Sequence, residues 1–444
     1  MLEQQARLLL ADPGGRVFEY PPLQCVGKSG PHFVPVDEWI ALPQGSKLFT
    51  LPGRTAIGWD QDSQALQPVG EIKASRQKFT PIPVGAFLPP GYVRTHLPAV
   101  SLLKDAAILP TWAYTCVAWH SDSFQAAAFR IDDNEKWQPE QYDDRDLLPR
   151  IQKLAAKFPR NRLVKHLEHC ATHYHCFAAK NLFFGRWEAP LPVSPQCNAG
   201  CLGCLSWQPK GRSIRSHHRI RFRPTVREIC EIAVPHLETA PDAMVSFGQG
   251  CEGEPLLEYK LIGEAVVAIR RETKRGTIHL NTNGSLPAEL ETLVKLGLDS
   301  VRISLNSCLP ERYEAYFSPR DYTFLKVKES ATRTRKAGAY VHLNLLVFPG
   351  LSDQNQEIDR LLDWIEETGI HRIQLKNLCI DPEAYISRMP DFQKRGMGMR
   401  YLRDTLRAQT PQVALGYFNI PKEEFRLPSG KTKKRRVSRA GETP

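Results

Sequence analysis

Between residues 189 and 378 the chain alternates between two hydrophobic patterns. Short, nearly continuous apolar runs at 189–194, 243–248, 277–282, 300–306, 340–348 and 372–378 read as strands of a parallel sheet covered on both faces. Amphipathic segments at 225–238, 256–272, 287–296, 324–337 and 353–368 read as helices, with apolar positions recurring at helical spacing. This alternation predicts an α/β fold. Taken alone it allows either a barrel wrapped by helices or an open, doubly wound sheet.

The flanks follow other patterns. Residues 1–145 predict a β-rich accessory domain of short strands punctuated by Pro and Gly. Its clearest hairpin is 112–119, a turn at 120–123, then 124–131. The aromatics Trp59, Trp112, Tyr114 and Trp119 read as the filling of a small core rather than a pocket lining. Residues 146–188 switch to helical spacing and predict a connector, with stripes at Leu147, Ile151, Leu154, Ala155 and then Leu163, Leu167, Cys170. The second stripe ends in a group rich in Cys and His, from His169 to Cys176. It reads as a helix end with buried thiols and surface histidines; a metal site is the alternative. Residues 189–390 form the central domain. Residues 391–444 predict a helix over 392–407, a short apolar run at 413–420 and a solvated basic tail.

Composition narrows the class. A length of 444 residues suits two or three domains, and 42% apolar with 24% charged residues is the balance of a globular protein in water. No apolar stretch is long enough for a transmembrane helix, and the first residues lack a basic-then-apolar leader. The eleven cysteines therefore read as reduced thiols in the cytoplasm. The net charge of +11 is concentrated in two places. Residues 208–223 hold Lys210, Arg212, Arg215, Arg219, Arg221 and Arg223 without an acid. The other basic stretch is the tail at 431–444.

The chemistry centres on Cys197, Cys201 and Cys204, spaced C-x3-C-x2-C on the loop after the first strand. Three thiolates on a tight loop can hold three irons of a [4Fe–4S] cluster and leave the fourth open. Zinc would want a fourth Cys or His at a regular spacing, and His217-His218 is only a loose candidate. This spacing and context resemble the radical SAM superfamily. The resemblance implies a partial (β/α)6 TIM-like barrel with its active site at the strands' C-terminal ends, a [4Fe–4S] cluster on the three cysteines, and S-adenosylmethionine (SAM) on the open iron. It also implies reductive cleavage of SAM to a 5′-deoxyadenosyl radical that abstracts hydrogen from a substrate.

Further motifs match by position. Gly253, Glu254 and Pro255 after the second strand stand where the family binds the methionine ammonium group. Asn283 lies in the Thr-Asn-Gly after the third strand. Ser304 and Asn306 after the fourth are carried over as SAM contacts, and Pro349-Gly350 follows the fifth. One departure is Gly203, where most members have an aromatic residue before the third cysteine.

Cys251, Cys308 and Cys379 each follow a strand and are candidate catalytic thiols, as hydrogen donors or ligands of a second cluster; loop packing is the alternative. Only Cys379 lies beyond the sixth strand, so the cysteine-rich auxiliary domain of peptide-modifying members is not expected. The basic segment favours an anionic substrate such as RNA or a phosphorylated molecule. The resemblance implies a reducing partner such as flavodoxin or ferredoxin; no membrane partner is expected. The competing reading is a non-catalytic iron–sulfur or zinc protein that binds nucleic acid.

Overall fold

Three helices, α1 (Leu147–Lys157), α2 (Arg162–His173) and α3 (Phe177–Phe184), lead into a seven-stranded parallel sheet. Its strands are β1 (Glu188–Pro190), β2 (Met244–Phe247), β3 (Thr277–Thr282), β4 (Ser300–Leu305), β5 (Tyr340–Val347), β6 (Arg372–Asn377) and β7 (Ala414–Gly416), each beside the next. The computed structural model describes residues 6–74, 77–392 and 394–425. The basic tail lies outside the described residues.

The helices are α4 (Val226–Thr239), α5 (Tyr259–Glu272), α6 (Pro287–Leu296), α7 (Pro310–Phe317), α8 (Phe324–Lys336), α9 (Asn355–Thr368), α10 (Pro382–Ile386) and α11 (Met399–Gln409). Helices α4, α5, α6, α8, α9 and α11 pack side by side in that order. They form one outer layer, whereas a doubly wound sheet would divide them between two faces. The fold is a partial TIM-like barrel. Strand register shows why. Val341, Leu343 and Leu345 of β5 face the helices beside Val301, Ile303 and Leu305 of β4. The alternate positions line the inner face: Arg302 beside His342, Ser304 beside Asn344, and Asn344 beside Gln374.

Several boundaries differ from those expected. The first strand is only Glu188–Pro190, because Val193 and Ser194 donate their N–H groups to the Glu252 carboxylate instead of to a neighbouring strand. The apolar run at 413–420 supplies a seventh strand parallel to β6. The last helix starts at Met399 rather than 392, since Asp353 Oδ2 accepts the Gly398 N–H and its backbone carbonyl the Met397 N–H, holding this segment extended.

The N-terminal region is β-rich, with a ten-stranded sheet whose strand pairs are antiparallel. Its hairpin is tighter than expected: Val117–His120 and Ser123–Ala126 are joined at Ser121 and Asp122, both with positive φ. Tyr114 is buried, Trp119 packs edge-on against Phe124, and Trp112 is largely exposed against Phe49.

This region closes over the end of β6. The Arg94 backbone N–H and the Tyr92 carbonyl both bond to the Asn377 side chain, at 3.0 and 2.8 Å. Buried Arg54 pairs with buried Asp381 at 2.5 Å. Val93, Leu97, Phe129 and Ile131 join the barrel's own core, as do the inner faces of α1, α2 and α3.

Candidate functional site

The cysteine loop leaves β1 and is clamped from two sides. On one side, Gly253 and Glu254 donate their backbone N–H groups to Ser194 and Gln196 carbonyls at 2.7 and 2.8 Å. The approach is so close that a Cβ on Gly253 would lie 1.9 Å from the Gln196 oxygen. On the other, Gly200 and Leu202 donate to the Phe317 and Tyr316 carbonyls, and Arg320 donates to Asn198. The loop thus hangs between the turn after β2 and the C-terminal end of α7, at the C-terminal rim of the sheet.

Two buried glutamates hold this rim. Glu252 accepts four backbone N–H groups, from Val193 and Ser194 on one oxygen and from Gly248 and Gln249 on the other, at 2.6–3.0 Å. Glu254 accepts from the Leu256 and Asn283 N–H groups and from the Thr282 hydroxyl. Burial pushes both carboxyls up to about 7, against the pull of these donors. The Asn283 amide donates to the Asn198 side chain on the cysteine loop at 2.8 Å. Glu252 and Thr282 were not singled out in the sequence; a buried acid inside a Gly-rich turn was the available signal.

The three loop thiols face one shared region. Burial raises Cys197 to about 11, with the nearby Glu254 adding to it. Burial raises Cys201 well above the usual thiol range, with the Cys204 and Cys197 charges adding to it. Arg219 approaches Cys204 Sγ at 3.7 Å and Ser206 Oγ at 3.2 Å. The donor set is three thiols on one loop, soft ligands of the kind that the irons of a [4Fe–4S] cluster take one each. Among the described residues, the donor atoms of His166, Cys170 and Cys251 lie within 4.8 Å of one another.

The remaining candidates fall at different depths. Ser304 accepts from the Asn344 amide at 3.0 Å on the inner face. Buried Asn306 donates to the Arg312 carbonyl and the Tyr385 hydroxyl at 3.2 Å. The Oδ1 atoms of both Asn306 and Asn344 are buried with no protein partner, so each retains an acceptor for a ligand. Pro255 is buried and starts the short turn Pro255–Glu258.

Gly203 also has a structural reason. A Cβ there would lie 2.9 Å from both the Cys379 carbonyl and the Tyr316 hydroxyl. The Tyr316 side chain thus stands against the position where an aromatic residue would otherwise sit.

The three further cysteines separate. Cys379 adjoins the cysteine loop through that carbonyl, and its thiol is near enough to Arg94 and Lys376 to feel their charges. Cys308 is buried and interacts with Glu357 of α9. Cys251 is buried against Cys170. The basic segment is divided too. Arg223 pairs with Glu258 at 2.6 Å, Arg219 turns to the cysteine loop, and Arg212 lines a cavity of about 270 Å³ with Leu202, Gln208, Arg54 and Asp381.

The bovine molybdenum cofactor biosynthesis protein 1 is 28% identical over 256 residues, covering 54% of this chain and 35% of its own length. The GTP 3′,8-cyclase of Streptomyces coelicolor is 28% identical over 211 residues, covering 45% and 56%. The chain thus spans from about a third to just over half of these relatives. Among solved structures, the [FeFe]-hydrogenase maturase HydG superposes with a TM-score of 0.37 at 18% identity, covering 62% of this chain and 63% of that one. The radical SAM superfamily model matches residues 191–365, the stretch from the cysteine loop through α9. With three cysteines at the family's spacing on the loop after β1 of a parallel, singly wound sheet, residues 191–365 of this chain form a radical SAM domain.

Proposed function

We propose that this chain is a radical SAM enzyme whose substrate is anionic and enters the inner face of the sheet. The observation that carries the reading is a loop of three cysteines clamped after β1, together with two partnerless buried acceptors, Asn306 Oδ1 after β4 and Asn344 Oδ1 on the inner face of β5. Cys197, Cys201 and Cys204 would hold a [4Fe–4S] cluster, and Ser304, Asn306 and Asn283 stand where SAM polar groups would be read. When bound, the cluster and SAM supply reductive cleavage of SAM and hydrogen abstraction from substrate.

The chain's own residues set the rest. Glu252 and Glu254 act as positioning residues: their carboxylates fasten the Gly-rich turn to β1 and β3. Gly253 contributes its lack of a side chain. Glu254 retains one lone pair beyond its three donors, enough for one hydrogen bond from an ammonium group.

The inner face carries Arg302 and Lys376. Burial pulls the Lys376 ammonium well below its usual range, and it sits 3.5 Å above the Tyr417 ring. An anion bound there would restore its charge. His279, held down to about 3 by burial, stays neutral beside them. A phosphorylated small molecule suits this lining better than RNA, since two cations of the basic segment are already engaged at Glu258 and Cys204. The relatives named GTP 3′,8-cyclase make GTP a compound to include in a substrate screen.

The nearness of the Cys379 carbonyl to the cysteine loop supports Cys379 as the hydrogen donor among the three. Cys308 and Cys251 lie against Glu357 and Cys170 instead. A reduced flavodoxin or ferredoxin would supply the electron. All eleven cysteines are free thiols, which supports a reducing cytoplasmic setting. Among the described residues, no helix is long and apolar enough to cross a membrane.

The test is anaerobic reconstitution followed by incubation with SAM and dithionite. Wild type should bind about four irons and release 5′-deoxyadenosine and methionine. The variant with all three loop cysteines changed to Ala should do neither. Absence of iron on the wild-type loop, with SAM left intact, would overturn the reading.

A further inference from the structure

We infer that His166, Cys170 and Cys251 form a second metal centre, a site for one zinc ion separate from the cysteine loop. The donor atoms of these residues all lie within 4.8 Å of one another. Cys170 Sγ is 3.7 Å from His166 Nε2. A tetrahedral zinc ion with one sulfur and one imidazole ligand sets those atoms roughly 3.6 Å apart.

The arrangement is built by two elements distant in sequence. His166 and Cys170 are one helical turn apart on α2, so both point from the same face, as a chelating pair must. That helix is fixed in place. Asn161 caps its first turn through the Leu163 and Val164 N–H groups, and its amide donates to the Glu228 carbonyl of α4. Cys251 comes from the turn after β2, where its carbonyl accepts the Ile220 N–H at 2.8 Å.

Charge and burial agree with zinc. Cys170 and Cys251 are almost wholly buried. Two thiolates balance one Zn²⁺, so the loaded centre is neutral and tolerates a dry site. Loading displaces both thiol protons to solvent, and no electron is transferred. His217 lies close enough to the group to feel both Cys170 and His166. Of the cysteine and histidine group at 169–176, only Cys170 belongs to the ligand set. His169, His173 and His175 are exposed, and the chelating histidine lies one turn earlier.

Such an ion would tie α2 to the turn that continues into Glu252, Gly253 and Glu254. It would fix the rim from outside the barrel.

The experiment measures zinc and iron by mass spectrometry in the anaerobically purified full chain. The expected result is about one zinc per chain, retained when Cys197, Cys201 and Cys204 are all replaced by Ala and iron is lost. Zinc should fall at least five-fold in the Cys170→Ser, Cys251→Ser double variant. Because that variant can misfold, the wild-type protein is also stripped with chelator and titrated with Co²⁺. Thiolate-to-cobalt charge-transfer bands that zinc then abolishes, in the loop-cysteine variant as well, support the site. Zinc unchanged in the double variant, or neither zinc nor cobalt bands in the wild type, overturns it. Both readouts are independent of SAM cleavage, so failure here is distinguishable from failure of the proposed function.

Discussion

Replacing Gly253 with Ala tests whether the turn after β2 sets the cysteine loop. The added Cβ would start 1.9 Å from the Gln196 carbonyl oxygen and 2.5 Å from its carbon. Ordinary contact needs about 3.2 Å, so one backbone must retreat by roughly 1.3 Å. That retreat breaks the Gly253 N–H bond to Ser194 and the Glu254 N–H bond to Gln196. Each costs about 1 kcal/mol, and overpacking adds about 1–3 kcal/mol, so the expected destabilisation is about 3–5 kcal/mol. The functional effect should be larger than the loss of stability suggests, since a displacement of about 1 Å at a reacting centre can cost roughly 10²-fold in rate. Urea unfolding of the iron-free protein reads the first quantity. Iron content and 5′-deoxyadenosine release after reconstitution read the second. A variant within about 0.5 kcal/mol of wild type, with full iron and unchanged release, would refute the argument that this contact sets the loop.

Other substitutions probe separate parts of the rim. In Glu252→Gln one carboxylate oxygen becomes an NH2 facing two N–H donors, leaving two buried donors unpaired. A loss of roughly 2–6 kcal/mol in denaturant midpoint measurements is expected. Gly203→Phe should abolish iron uptake, measured by absorbance after reconstitution, because even a Cβ meets the Cys379 carbonyl and the Tyr316 hydroxyl at 2.9 Å. Glu228, held at about 2 chiefly by its hydrogen bond from Arg162, has a folded pKa below its unfolded value near 4.5. Its contribution is present above pH 4.5 and is lost as pH falls toward 2. With Arg162 half-exposed, Glu228→Gln should cost about 1–2 kcal/mol at pH 7, and the difference from wild type should vanish at the acid end of a pH series of thermal melts.

The α/β alternation, the C-x3-C-x2-C loop and the resemblance they support were legible in the sequence because they rest on local signals. Apolar runs, helical spacing and cysteine spacing are set by residues near one another in the chain. Even there the pattern was incomplete. The strands looked apolar throughout, yet their inner face carries Arg302, His342, Gln374 and Lys376, with Gln374 bonded to both Arg302 and His342 across strands. Whether helices lie on one side of a sheet or on two is a question of connection geometry, and only the side-by-side packing of α4 through α11 decided it.

The site divides along the same line. Three cysteines on one loop could be read directly. Glu252 could not, because its importance comes from four N–H groups on two separate segments aimed at one carboxylate. Gly203 read as a departure until the Tyr316 hydroxyl, brought from α7, was found against it. Cys251 looked like one of three equivalent thiols after strands, but folding set it against His166 and Cys170 and left Cys379 beside the cysteine loop. Spacing along the chain specifies what one loop can do alone. Groups drawn from different elements meet only through the packing of helices on the sheet, and that packing depends on the whole core rather than on any short stretch.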